Sequence, residues 1–172
     1  MLKHATFSDC GQFRYRLLRK WDCGSPLLFI MLNPSTADGE EDDPTIRRCL
    51  RFAQAHGYGA LEVVNLFAYR ATDPKDLRRA GWPVGPDNDR HIADAVRDSA
   101  AVCVAWGSNA ASLERPGIVL QQLRELGVNL RLFCLRITRG GYPQHPLMLP
   151  CSCRLQPFDD AAIPATRNAG DV

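Results

Sequence analysis

The sequence predicts an α/β fold, a three-layer α/β/α sandwich with a four-stranded parallel central sheet and an N-terminal antiparallel hairpin. Four short runs are apolar almost throughout, as expected of strands covered on both faces: Leu27 to Leu32, Leu61 to Leu66, Ala101 to Ala105 and Leu130 to Leu135. Segments with helical apolar spacing separate these runs. A turn-prone Asp22-Cys23-Gly24-Ser25-Pro26 joins the first of them to an earlier β-like segment, Gln12 to Leu18, which reads as the hairpin.

The helices follow from their start signals. Asp43 is placed to cap a helix whose first position is Pro44, and Ile46, Cys49, Leu50 and Ala53 recur at helical spacing until Gly57 stops the pattern. Asp73-Pro74 opens a short second helix. Asp87 to Ala100 forms a third, with Ile92, Ala93 and Val96 on one face, and Gly117 to Leu126 a fourth.

A chain of 172 residues with 45% hydrophobic content suits one core, assigned here to residues 1–158, with 159–172 as a small, polar, flexible tail. No run approaches the roughly 18 apolar residues of a membrane span, and MLKHATFSDC lacks a secretory pattern, so a cytoplasmic, monomeric protein is expected. Seven cysteines without CxxC spacing fit reduced thiols, and Cys49, Cys103 and Cys134 fall within apolar periodicity and should be buried and inert. Cys10, Cys23, Cys151 and Cys153 lack the paired spacing of a metal site, so neither metal nor cofactor is expected.

A net charge of +2 does not announce a nucleic-acid binder, although 18 arginines against three lysines supply the better group for phosphate contacts. The informative feature is how the strands end. Asn33-Pro34-Ser35, Asn65, Trp106-Gly107 and the segment from Thr138-Arg139 to His145-Pro146 each follow an apolar run, and in parallel sheets ligands bind outside the carboxyl ends of the strands. Those ends should converge on one crevice.

The motifs MLNPSTAD, DDPT, VVNLFAYRATDP, PVGPDND and GYPQHPL closely resemble those of an uncharacterised domain family, over residues of about 12 to 157. The order of Asn-Pro, "VVN", "AWG" and "HP" after successive strands also remotely resembles the uracil-DNA glycosylase superfamily. That resemblance implies a glycosylase-like sandwich and hydrolysis of the N-glycosidic bond of a flipped, modified base in nucleic acid, DNA foremost. It implies roles by position. Asn33 would orient the attacking water, Asn65 would read the base edge, and His145 would support negative charge on the departing base. Leu147 and Met148 would form the wedge that fills the space of the flipped nucleotide, with Ser35 and Trp106 beside the base.

The chemistry suits those residue types, because glycosidic cleavage builds positive charge on the sugar and negative charge on the base, and positioned donors meet the latter. A carboxamide is a poor general base, so Asp38, with Asp42 and Asp43 as competitors, is the candidate carboxylate. The loop reads HPLML, without the serine hydroxyl of many glycosylase loops, and the acidic Gly39 to Asp43 would repel phosphates. Arg47, Arg70 and Arg139, with Arg48, Arg51, Arg78 and Arg79, could offset it at the nucleic-acid backbone. Two alternatives stand beside this reading: a non-catalytic module holding a base or nucleotide-like small molecule in the same pocket, and a metal-dependent hydrolase using Asp38 and Asp42.

Overall fold

A computed structural model describes residues 1–128 and 131–159. Leu130, expected to begin the fourth apolar strand, and residues 160–172 of the expected tail lie outside the described residues. The elements run β1 (Leu2–Phe7), β2 (Arg14–Lys20), β3 (Leu27–Met31), α1 (Pro44–Ala55), β4 (Ala60–Asn65), α2 (Pro74–Arg79), α3 (Asn88–Asp98), β5 (Ala101–Val104), α4 (Arg115–Glu125), β6 (Leu132–Cys134) and β7 (Gln156–Pro157). Among the described residues no helix is long and apolar enough to cross a membrane.

The protein is a mixed α/β fold with a seven-stranded sheet ordered β1-β2-β4-β3-β5-β6-β7. The four apolar runs form its parallel centre, since β3 pairs in parallel with both β4 and β5, and β5 with β6. Antiparallel strands extend both sides, so the sheet has more strands than the sequence predicted. The predicted hairpin is also rearranged. β2 pairs with β1 and with β4, not with β3, because the wholly apolar β3 takes the central position that buries both its faces. β1 carries little signal because Leu2–Phe7 mixes polar and apolar residues without regular alternation and none of them is fully buried, as on an edge strand.

The core divides by strand alternation. Leu28, Ile30, Val64, Val102 and Val104 pack with Ile92 and Val96 of α3 and Val119 and Leu123 of α4. The residues between them, Leu27, Phe29, Met31, Leu61, Val63 and Cys103, pack with Ile46, Cys49, Phe52 and Ala53 of α1. Each strand thus buries both its faces, one residue to each side.

The helix starts place the loops at the sheet's carboxyl end. Asp43 caps α1, its Oδ1 accepting from the Ile46 amide at 2.8 Å, with Pro44 at the first turn as predicted. Asp73 caps α2 in the same way, through the Lys75 amide. Asp87 makes no side-chain cap at α3; instead the buried Asn88 donates its Nδ2 to the carbonyl oxygens of Asn65 at 2.9 Å and Leu66 at 3.2 Å. Arg115 at the start of α4 donates to Leu66 O as well, at 2.8 Å. Two helix starts therefore hold the exit of β4.

Cys49, Cys103 and Cys134 are free thiols with no solvent exposure, as their periodicity predicted. Cys10, Cys23 and Cys151 are exposed, and Cys153 is half-buried.

Candidate functional site

The four parallel strand exits surround one cavity of about 660 Å³. Asn33, Ser35, Asn65, Trp106, His145 and Leu147 all line it, so the structure brings together the groups expected from separate strand ends. Backbone ties between the exit loops explain the convergence. Ala71 N donates to Pro34 O at 2.9 Å, joining the loops after β3 and β4, and Gly107 N donates to Pro143 O at 2.8 Å, joining the exit of β5 to the histidine loop.

Gly107 is required by conformation and not by space. Its φ of 75° lies in the left-handed region, whereas a Cβ there would meet the Cβ of His145 at an ordinary contact distance of 3.6 Å. The Trp-Gly pair is thus a backbone requirement at the cavity wall.

Each polar group presents a defined valence. Asn33 is half-buried, and its Nδ2 donates to Pro34 O at 3.0 Å and to Ala71 O at 2.7 Å. Two carbonyl partners fix the amide orientation and leave Oδ1 as the open acceptor. Asn65 is the reverse. Its Oδ1 accepts from Arg14 Nη2 at 3.4 Å, and its Nδ2 has no partner among the described residues, so it offers a donor. His145 Nδ1 accepts from the Leu147 amide at 3.3 Å, which places the proton of the neutral ring on Nε2. Burial pushes its pKa below the ordinary value, with Asp43 opposing the shift, so the ring is a neutral donor at physiological pH.

Arg14 was not foreseen in the sequence. It lines the cavity at 2% exposure, donates Nη1 to Ala37 O at 2.8 Å, and its Nε has no partner. Burial lowers its pKa to about 10, against the raising influence of Asp43, so it stays charged at neutral pH. Four of the seven residues of Arg14–Lys20 are basic, which resembles a solvated strand face, and no local pattern marks Arg14 as buried. Trp106, at 1% exposure, likewise leaves Nε1 without a partner.

Other expected site residues lie away from the cavity wall. Asp38 accepts the Glu40 and Glu41 amides at 2.8 Å each, and those bonds hold its carboxyl below the ordinary range. Asp42 is paired with Arg19 Nε at 2.7 Å and Lys3 Nζ at 3.3 Å. Arg47 donates to Asp42 O, while Arg70 stacks its guanidinium 5.0 Å from the centre of the Phe7 ring. Arg139 is exposed, and Met148, at 83% exposure, projects outside the lining set. The acidic stretch is thus largely structural: fully buried Arg19 also donates to Asp38 O at 2.6 Å and clamps the loop to β2. Of its carboxylates Asp43 alone reaches the cavity, with Oδ1 committed to the helix cap. Among the described residues, no group of three or more His, Cys, Asp and Glu is arranged to hold a metal ion.

Residues 14–147 match the family described as "Protein of unknown function (DUF1643)". No curated protein and no solved structure is detectably similar to the chain.

Proposed function

The chain belongs to the DUF1643 family, and from that premise we propose that its cavity receives a nucleobase and that the protein cleaves an N-glycosidic bond in the manner of a DNA glycosylase acting on a modified base. One observation carries the reading: Asn33, Asn65 and His145, from three separate strand exits, line one cavity, and their hydrogen bonds leave Asn33 Oδ1 free to accept and Asn65 Nδ2 and His145 Nε2 free to donate. An acceptor suits a water held for attack. A neutral histidine donor suits the oxygen of a departing base, whose negative charge grows in the transition state. Asn65, with Oδ1 held by Arg14, would meet a base edge that presents an acceptor.

Asp43 replaces Asp38 as the carboxylate of this scheme, because it lines the cavity and Asp38 does not. Leu147 remains the wedge candidate on the cavity side of the loop. The reading also takes the sheet with helices packed on both faces to be the three-layer sandwich of uracil-DNA glycosylase type. Asp38 and Asp42 are engaged in loop bonds and ion pairs away from the cavity, which disfavours a metal-dependent hydrolase built on them.

A second reading, a non-catalytic module that binds a nucleotide, is favoured by the same Asp43: one carboxylate oxygen is committed to the α1 cap, and a carboxamide such as Asn33 has no capacity to accept a proton. Oligonucleotides carrying a panel of modified bases decide between them, with abasic-site formation as the readout. Base release that disappears in His145→Ala supports cleavage. Saturable binding of a base-containing ligand without release supports the module, and neither binding nor release sinks both.

A further inference from the structure

We propose that the cavity contains an oxyanion subsite, in which the buried guanidinium of Arg14, with the Asn65 amide beside it, holds a phosphate or carboxylate group of the ligand. Three buried arginines show why Arg14 stands apart. Arg19, with no exposure, is paired with Asp42 at 2.7 Å, and Arg115, at 7% exposure, is paired with Asp89. Arg14 is buried as deeply at 2%, yet among the described residues no carboxylate lies within 4.0 Å of it. A buried charge without a directly paired carboxylate is unfavourable, and the fold tolerates it here on the wall of a cavity open to a ligand, with Asp43 acting on it only at longer range.

The unfilled valences agree in sign. Arg14 Nε and Trp106 Nε1 are buried, unpartnered N–H donors on residues that line the cavity. Asn65 adds a donor, because Arg14 already occupies its acceptor. Donors of this kind match an oxygen-rich, negatively charged group and mismatch an amino group. Asp43 lines the same cavity and is the strongest opposite charge felt by Arg14, yet the two form no ion pair, so the guanidinium keeps its capacity for a ligand oxyanion. The ligand's charged oxygens therefore belong at Arg14, where the unpartnered donors gather. The inference rests on the cavity being a ligand site, as proposed above, and does not require bond cleavage.

The test titrates the whole protein with inorganic phosphate, with acetate and with chloride at equal ionic strength, reading thermal unfolding and the ¹⁵N signal of the Arg14 Nε–H. A saturable rise in Tm with an oxyanion but not with chloride, together with movement of that signal, is expected. Arg14→Met should weaken the binding by about tenfold or more, because it removes the guanidinium that meets the oxyanion. Arg14→Lys should restore part of the affinity. A response to phosphate alone assigns the group to a phosphate ester, and a response to acetate alone assigns it to a carboxylate. If neither oxyanion moves Tm or the Nε–H signal, or if Arg14→Met binds as wild type does, the subsite is refuted. The wild-type signal decides the matter even where Arg14→Met fails to fold. Arg14-dependent oxyanion binding without base release removes the glycosylase reading alone, and base release without any oxyanion response removes this inference alone.

Discussion

Asn33 donates its Nδ2 to the carbonyl oxygen of Ala71 at 2.7 Å and so ties the exit of β3 to the loop after β4. A carboxylate at that position would face two carbonyl oxygens with no proton to give. Asn33→Asp should therefore destabilise the protein by about 1–3 kcal/mol in chemical denaturation, the usual cost of leaving buried partners unsatisfied. An unchanged midpoint would show that the tie carries no weight.

His145 makes one backbone bond through Nδ1 and lines the cavity with Nε2 uncommitted, so its removal should affect chemistry more than stability. His145→Ala is expected to lower base release by roughly 10²-fold, as for a group that acts mainly on transition-state charge. Measured kcat/KM, beside a thermal melt that stays near wild type, checks this.

The pH dependence of stability has a definite sign. Burial lowers the pKa of His145, and of His91 as well, below the ordinary 6.5. The unfolded state then binds more protons than the folded state between the two values, so these residues favour the fold fully above the unfolded pKa and less as pH falls through it. Denaturation midpoints should decline as pH falls through the ordinary histidine value of 6.5, and His145→Gln should flatten part of that decline. A midpoint that rises on acidification would contradict the burial of both rings.

Asp43 accepts the Ile46 amide at 2.8 Å, and its loss should cost α1 a cap. Asp43→Ala is expected to destabilise by about 1 kcal/mol, and Asp43→Asn, which keeps an acceptor, by less. Chemical denaturation of the two variants provides the comparison.

Thiol reactivity should divide by burial. Burial pushes Cys134 up to about 11 and Cys49 and Cys103 higher still, so these three should label only after unfolding. Exposed Cys10, Cys23 and Cys151 should react in the native protein. Mass spectrometry after brief labelling distinguishes the groups.

The sequence alone determined the parallel centre of the sheet and the helices between its strands, because wholly apolar runs such as Leu27–Met31 have one stable environment, between two layers, and because Asp43-Pro44 and Asp73-Pro74 carry their start signals locally. It also pointed to Asn33, Asn65, Trp106 and His145, since polar residues ending apolar strands must emerge at the same edge of a parallel sheet. Tertiary structure decided what no local pattern encodes. The pairing of β2 with β1 and β4 depends on competition among strands for the sheet's interior, and β1, of mixed composition and with no fully buried residue, carries only a weak signal of its own. The division of the arginines was equally hidden: Arg14 and Arg19 lie in one short strand, yet Arg19 is neutralised by Asp42 from a distant loop while Arg14 meets only neutral partners at the cavity. Charge pairing at long range depends on which loops fold over which strand, and the valences left open at the cavity are set by that packing and not by residue order.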